Sequence, residues 1–595
     1  CEKSHNKLHN RGSIQHDYPV RGCRQTKPLL AARWRGMFLA PHPFGGSMRA
    51  WRSALVIGLV LVAAASSSTP DDYPRRIGID IEHYRFELAL ADDSDEIAGR
   101  ATVTVLFTGS GVVDLPLDLT SIASGGRGME VLSVMSDGAS LDFTHRSDVL
   151  NIRLAETGRA GGRVSVTIDY RGVPVAGLQI GPNKYGDRTF FSDNWPNRVH
   201  NWLPTVDHVG EKATSEFLVT APAHYQVVSN GLVLEETDLG NGNRLTHWKQ
   251  SVPISPWLFV LGVARFAVQQ VDDFQGKQIQ TWVYAQDRDA GFYDFAVPTK
   301  QVLEFYDEYV GPFAYEKLAN ITSPATGGGM EAASAIMYSD NSVTGERTDR
   351  WRNVVIHEIA HQWFGNAVTE ADWDDVWLSE GFATYFTLLY REHAYGRDDF
   401  VSGLQQAADR IWPMYVDAPE YRIVHDDLAD MALVTSGITY QKGAWVLHML
   451  RKRMGDEAFW EGIRTYYARY MNGTTSTDQF MEVMEEASGQ DHQVFFDQWL
   501  RQGGNPSLQG WWVYDETAQA VRVELNQVQD VGSFVMPLEI GVDMDGDQIA
   551  DVMETVEITG DLQRFVISVP GEPVNVRLDP DTWALFQSDF GPRGR

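Results

Sequence analysis

The stretch His357–His361, reading H-E-I-A-H, constrains this chain more than any other. On a helix an i, i+4 pair is separated by about 400° of rotation and ~6 Å of rise, so both imidazoles leave the same face. Such a pair grips a metal ion. Zinc accepts N, O and S donors, and a catalytic zinc site takes three protein ligands and leaves one position to water. Glu380, separated from His361 by eighteen intervening residues and inside W-L-S-E-G-F-A-T-Y, is the expected third ligand. Glu358 directly follows His357, about 100° round the helix, where its carboxylate can act as general base on the metal-bound water. Chance is a poor rival: with 16 His in 595 residues, H-E-x-x-H should arise by accident on the order of 0.02 times per chain. His5 and His9 share the spacing but have no Glu between them and no helical period around them.

Local signals support a helix there. Asp349 is placed to cap its start, Val354, Val355, Ile359, Trp363 and Phe364 give it an apolar side, and Gly365-Asn366 can end it. A second helix from about 374 to 394, stopped near Gly396, would carry Glu380 back to the histidines.

Around this centre the hydrophobic period changes twice. Residues 71–271 alternate with period two, as in Tyr84, Phe86, Leu88 and Leu90 or Val164, Val166, Ile168 and Tyr170, which predicts half-buried antiparallel strands. Residues 272–505 predict a strand near 280–285, a helix over 294–310, and helices over 438–453 and 476–488, the last opened by a Ser476/Gln479 capping box. Between them Gly327-Gly-Gly-Met330 reads as a loop entering an edge strand whose backbone another chain can approach. Residues 506–590 return to short strands, a small β-sandwich. Asp543-Met-Asp-Gly-Asp547 reads there as a hairpin turn, with calcium binding as the alternative.

Met48 opens a basic start, a short apolar run and a small-residue exit at Ala63-Ala64-Ala65, the pattern of an export signal over 48–65. An uncleaved anchor is the alternative, although a spanning helix needs about 20 apolar residues. Residues 1–47 show no apolar period and read as an unfolded upstream extension. They contain Cys1 and Cys23, so the rest of the chain offers no disulfide and no thiol nucleophile. Residues 1–65 hold 10 Lys+Arg and 2 Asp+Glu of the chain's 50 and 80, leaving 40 against 78 beyond them. That acidity argues against nucleic acid and against anionic membranes as partners.

Three motifs in order, Gly328-Gly-Met-Glu-Ala332, the metal stretch and Ile438-Thr-Tyr-Gln-Lys-Gly-Ala444, resemble the aminopeptidase N family of zinc metallopeptidases, the gluzincins. Trp202-Leu-Pro-Thr-Val-Asp207, Lys212-Ala-Thr214 and Val228-Ser-Asn-Gly231 extend the resemblance into the first region. It implies a multidomain α+β chain in the family's short form: an N-terminal antiparallel β-domain (71–271), a thermolysin-like mixed α/β then helical catalytic domain (272–505), and a C-terminal β-sandwich (506–590). It also implies one catalytic Zn2+ on His357, His361 and Glu380, with Glu358 as base and Tyr440 stabilising the oxyanion. Glu331 would hold the free α-amine of a peptide, and Gly328, Gly329 and Met330 would let its backbone lie alongside. Three departures stand out: Ala332 replaces the usual Asn, Ser379 replaces Asn, and Trp195 falls where Glu or Gln commonly assists the amine.

The expected activity is therefore that of an exported zinc aminopeptidase acting on peptides with a free N-terminus, without stable membrane insertion. A thermolysin-like endopeptidase is the first alternative, and the residues do not exclude the epoxide hydrolysis found in one branch of the family. A non-catalytic interaction protein is disfavoured, because all three ligands, the base and the tyrosine are present.

Overall fold

In the computed structural model of the protein, residues 75–424, 428 and 431–594 are described. The extension over 1–47 and the leader over 48–65 lie outside them. No helix among the described residues is long and apolar enough to cross a membrane.

The period-two segments become strands. Ile79–Ala89 lies inside an eight-stranded sheet, antiparallel to Ile97–Phe107 and parallel to Ala213–Pro222. Every other pairing in that sheet is antiparallel. The parallel one is possible because more than a hundred residues intervene between the two strands, ample for a crossover. Alternate residues Tyr84, Phe86 and Leu88 are buried, and the first two join Phe217 and Phe259 in an aromatic core. A four-stranded sheet beside it ends Arg188–Asp193 close to the metal-site residues.

A five-stranded sheet follows. Its first strand, Phe266–Phe274, runs through residue 271 and pairs with Lys277–Tyr284, so the boundary expected at 271 falls inside a strand. The single helix expected over 294–310 is two helices, Arg288–Phe295 and Thr299–Tyr309. Pro298 separates them, since it lacks an N–H and disfavours helical backbone in the residue before it. Gly329–Met330 forms the sheet's edge, antiparallel to Met337–Tyr338.

The helices bearing the motif come next. The motif helix spans Asp349–Ala360, with Thr348 rather than Asp349 at its N-cap. Thr348 keeps extended backbone, while Asp349 sits in the first turn, where a negative charge is favoured, and pairs with Arg352 at 3.0 Å. The glutamate helix spans Trp377–Tyr395 and stops at Gly396, whose φ of 94° ends it. A π-turn at Ile438–Lys442 leads into the helix Gly443–Met454. This helix crosses the glutamate helix at two glycines: a Cβ added to Gly381 would lie 3.0 Å from the Cα of Gly443. The crossing sets Tyr440 beside Glu380. The Ser476/Gln479 capping box forms as expected.

Residues 507–592 form a four-stranded and a three-stranded sheet. Met536–Asp543 and Val552–Ile558 are an antiparallel pair joined by residues 544–551, a longer connection than a two-residue Asp-Gly turn. The Asp543 carboxylate is engaged by the N–H groups of Asp545, Gly546 and Gln548.

Candidate metal centre and cleft

The motif helix ends at the histidines and the glutamate helix begins at the carboxylate, so three donor atoms meet in a near-equilateral triangle. His357 Nε2 and His361 Nε2 are 3.1 Å apart, and Glu380 Oε2 lies 3.3 and 3.2 Å from them. Ligands about 2.0–2.1 Å from a tetrahedral zinc would stand about 3.3–3.4 Å from one another. The donor types and their spacing fit the ion.

The rings are held in the orientation a metal needs. His361 Nδ1 lies 3.1 Å from the carbonyl oxygen of Phe364 and 3.1 Å from Ser379 Oγ, which leaves Nε2 to face the triangle. Ser379 thus has a definite place: a Cβ on Gly365 would strike its hydroxyl at 2.1 Å, so the loop and the serine fit only as a pair. Lys212 ties the first region to this loop, its ammonium donating to the carbonyls of Asn366, Ala367 and Gly473 at 2.8–3.0 Å.

The electrostatics call for a cation. Burial disfavours a charged His361, yet Glu331 and Glu380 outweigh it and push the imidazole up to about 10. Burial would likewise raise Glu380, but His361 and the hydrogen bonds from both rings hold it down at about 2.

Around the triangle stand the other expected residues. Glu358 is buried beneath Gly329, where a Cβ would meet its Oε1 at 2.1 Å; only glycine lets this edge strand pass over the carboxylate. Tyr440 donates a hydrogen bond to Glu380 Oε1 at 2.7 Å, and its ring stacks on His357. Glu331 is buried, its Oε1 unpartnered among the described residues and 4.0 Å from His361 Nε2. Its backbone carbonyl is fixed by Gln362 and Asn366 side-chain amides at 2.9 and 2.6 Å. Burial pushes its carboxyl up to about 7. Ala332 is buried and offers no polar group.

Two cavities open from this point, and both are lined by Gly329, His357, Glu358 and Tyr440. One, of about 860 Å³, includes Gly328, Met330, Glu331 and Trp195. Trp195 packs edge-on against Trp257 and Trp373 at 4.9 Å each and so makes an aromatic wall. Sequence reasoning missed Asp193 and Arg198 in the same cavity, an ion pair at 3.0 Å. The end of the strand Arg188–Asp193 and the start of the short turn Val199–Asn201 bring them there, and no local pattern announces it. The other cavity, of about 1,340 Å³, is lined by Arg350, Arg391 and Arg410, also missed.

Family models match two long segments, the Peptidase M1 N-terminal domain over residues 81–258 and the Peptidase family M1 domain over 294–499. The chain belongs to peptidase family M1. Among curated relatives, glutamyl aminopeptidase of Rattus norvegicus is 30% identical over 329 residues, covering 53% of this chain and 34% of that protein. Probable aminopeptidase 2 of Sulfurisphaera tokodaii is 27% identical over 403 residues, covering 64% and 49%. The chain thus spans between about a third and a half of the length of these relatives. Of solved structures, the M1 zinc metallopeptidase of Deinococcus radiodurans superposes with a TM-score of 0.59 at 25% identity, over 69% of this chain and 90% of that one. A glutamate-to-alanine mutant of it, bound to a Tyr-Ser-Ala substrate, gives 0.61 at 25% identity over 71% and 94%.

Proposed function

We propose that this M1 chain is an exported zinc aminopeptidase that removes the first residue from peptides with a free N-terminus. The observation that carries the reading is a buried carboxyl group, Glu331, whose Oε1 accepts no hydrogen bond among the described residues and lies in the same cavity as the donor triangle and Glu358. An ammonium is the natural counterpart of such a group, because an unpaired buried carboxylate is costly and a charge-assisted hydrogen bond relieves it.

His357, His361 and Glu380 would hold a zinc ion, which would supply Lewis acidity toward a peptide carbonyl and a water molecule. Glu358 takes a proton from the attacking water. The water oxygen bonds to the carbonyl carbon, the C–N bond breaks, and Glu358 returns the proton to the leaving nitrogen. Tyr440 turns its O–H from Glu380 to the carbonyl oxygen as negative charge develops there. Gly328, Gly329 and Met330 guide the substrate backbone, since the sheet edge has no side chain at 329 to obstruct it. Asp193, on the wall where Trp195 offers no acceptor, supplies the second carboxylate near the amine.

The deciding experiment compares an aminoacyl anilide, its N-acetyl derivative and an internally quenched blocked peptide, each with and without chelator. Chelator-sensitive cleavage of the free-amine substrate alone is the expected result. Efficient cutting of the blocked peptide would make the chain an endopeptidase instead. Export through the leader at 48–65 is tested by sequencing the N-terminus of the mature protein, expected beyond Ala65.

A further inference from the structure

The larger cavity carries charge of the opposite sign to the amine pocket. Arg350 lies on the first turn of the motif helix and Arg410 on the helix Arg397–Asp417, both exposed and both lining it. Arg391 is already committed, bonded to Asp399 at 2.6 Å. Asp349 is committed too, to Arg352. Among the described residues neither Arg350 nor Arg410 has a carboxylate partner, and Arg350 only rests over the Trp351 ring. Two uncommitted guanidinium groups therefore face one cavity of a chain whose formal charge is −30. Screening decides which charge a ligand feels: with a Debye length of about 8 Å at physiological ionic strength, the distant acidic surface is damped and the nearby pair dominates.

The direction of a bound peptide follows from the proposed function, on which this inference rests. The amine end is placed at Glu331 in the smaller cavity, and the two cavities meet at Gly329, Glu358 and Tyr440. The residues beyond the cut must then enter the larger one. We propose that Arg350 and Arg410 form a carboxylate-recognition site on the leaving side of the cleft. The favoured substrates are short peptides that place an anionic group one or two residues past the cleaved bond. Guanidinium forks suit carboxylate, whether it is the C-terminus or an acidic side chain.

The test uses the zinc-loaded full chain and matched tripeptides: a free C-terminal acid, its amide, and amides with Glu or Gln at the last position. The wild type should cleave the free acid with kcat/KM about fivefold above the amide, mainly through KM, which is the scale of two partly exposed ion pairs. The Glu amide should exceed the Gln amide if side-chain carboxylates are read as well. An advantage confined to the free acid assigns the site to the C-terminus. In R350Q/R410Q the acid-to-amide ratio should fall to within twofold of unity, and in R350K/R410K at least half of the preference should survive. Equal rates for acid and amide in the wild type overturn the proposal, as does a ratio that survives R350Q/R410Q. If no tripeptide is cut, the aminopeptidase reading fails and the carboxylate site fails with it.

Discussion

The two cavities that meet at Gly329 differ in what they bury and what they leave in water. On the amine side the buried acidic groups are Glu331, Glu358 and Glu380, beside the Asp193–Arg198 ion pair. On the far side the uncommitted charges are exposed guanidinium groups on helices. A short peptide is polarised the same way, ammonium first and carboxylate last, so the cleft matches its ends in order. Burial sets the stakes: truncating one member of a desolvated charge pair costs about 2–5 kcal/mol, whereas an exposed pair is worth about 0.2–1. The amine end should therefore act as a requirement and the carboxylate end as a preference.

Substitutions can break this contrast, and their expected effects descend in size. Glu358→Gln should lower kcat for an aminoacyl anilide by about 10³-fold or more, with one zinc per chain still found by metal analysis. Substantial surviving turnover would remove Glu358 from the role of base. Tyr440→Phe should cost about 10²–10³ in kcat with KM little changed, the scale of one oxyanion donor. A matching rise in KM would return the phenol to a packing role. Glu331→Gln should lower kcat/KM for free-amine substrates by about 30-fold or more while sparing whatever residual rate an acetylated substrate shows. Equal losses on both substrates would detach Glu331 from the amine. Asp193→Asn, at a partly exposed position already paired with Arg198, should raise KM by only about three- to tenfold.

The smallest effect tests the scaffold. Gly443→Ala places a Cβ 2.9 Å from the Cα of Gly381. Helix propensity alone would favour alanine by about 1 kcal/mol, but overpacking at a backbone contact costs about 1–3, so a net loss near 1 kcal/mol is expected in a urea melt. Because the same crossing sets Tyr440 beside Glu380, kcat should fall more than KM rises. A stabilised variant with full kcat would show that the crossing has slack.

What could be read from the sequence was whatever is encoded within one or two turns of chain. The metal histidines share a helix, the base follows the first of them, and Gly396 stops the glutamate helix by its own backbone freedom. Glu380 was legible because it stands in register after the second histidine within W-L-S-E-G-F-A-T-Y, in the first turn of the helix that follows the strand Val368–Glu370. The break at Pro298 was also written in the chain, but the helix expected over 294–310 was carried across it, and the imino acid's missing N–H prevailed. Asp193, Arg198, Arg350 and Arg410 could not be singled out this way. Each is an ordinary charged residue whose importance arises when a strand end, a helix start and a helix middle come to line the same space. Trp195 shows the converse: its position was found by counting, while its neighbours Trp257 and Trp373 decided what it does there.

The bare α-carbon at position 329 has a kinetic consequence. The strand that would guide a peptide and the group that would accept its proton are spaced by direct backbone contact, with no side chain between them to act as a spring. A ligand that pairs with this edge arrives with its reaction distance already set. Any side chain at 329 would push a bound backbone away from the carboxylate and lengthen that distance.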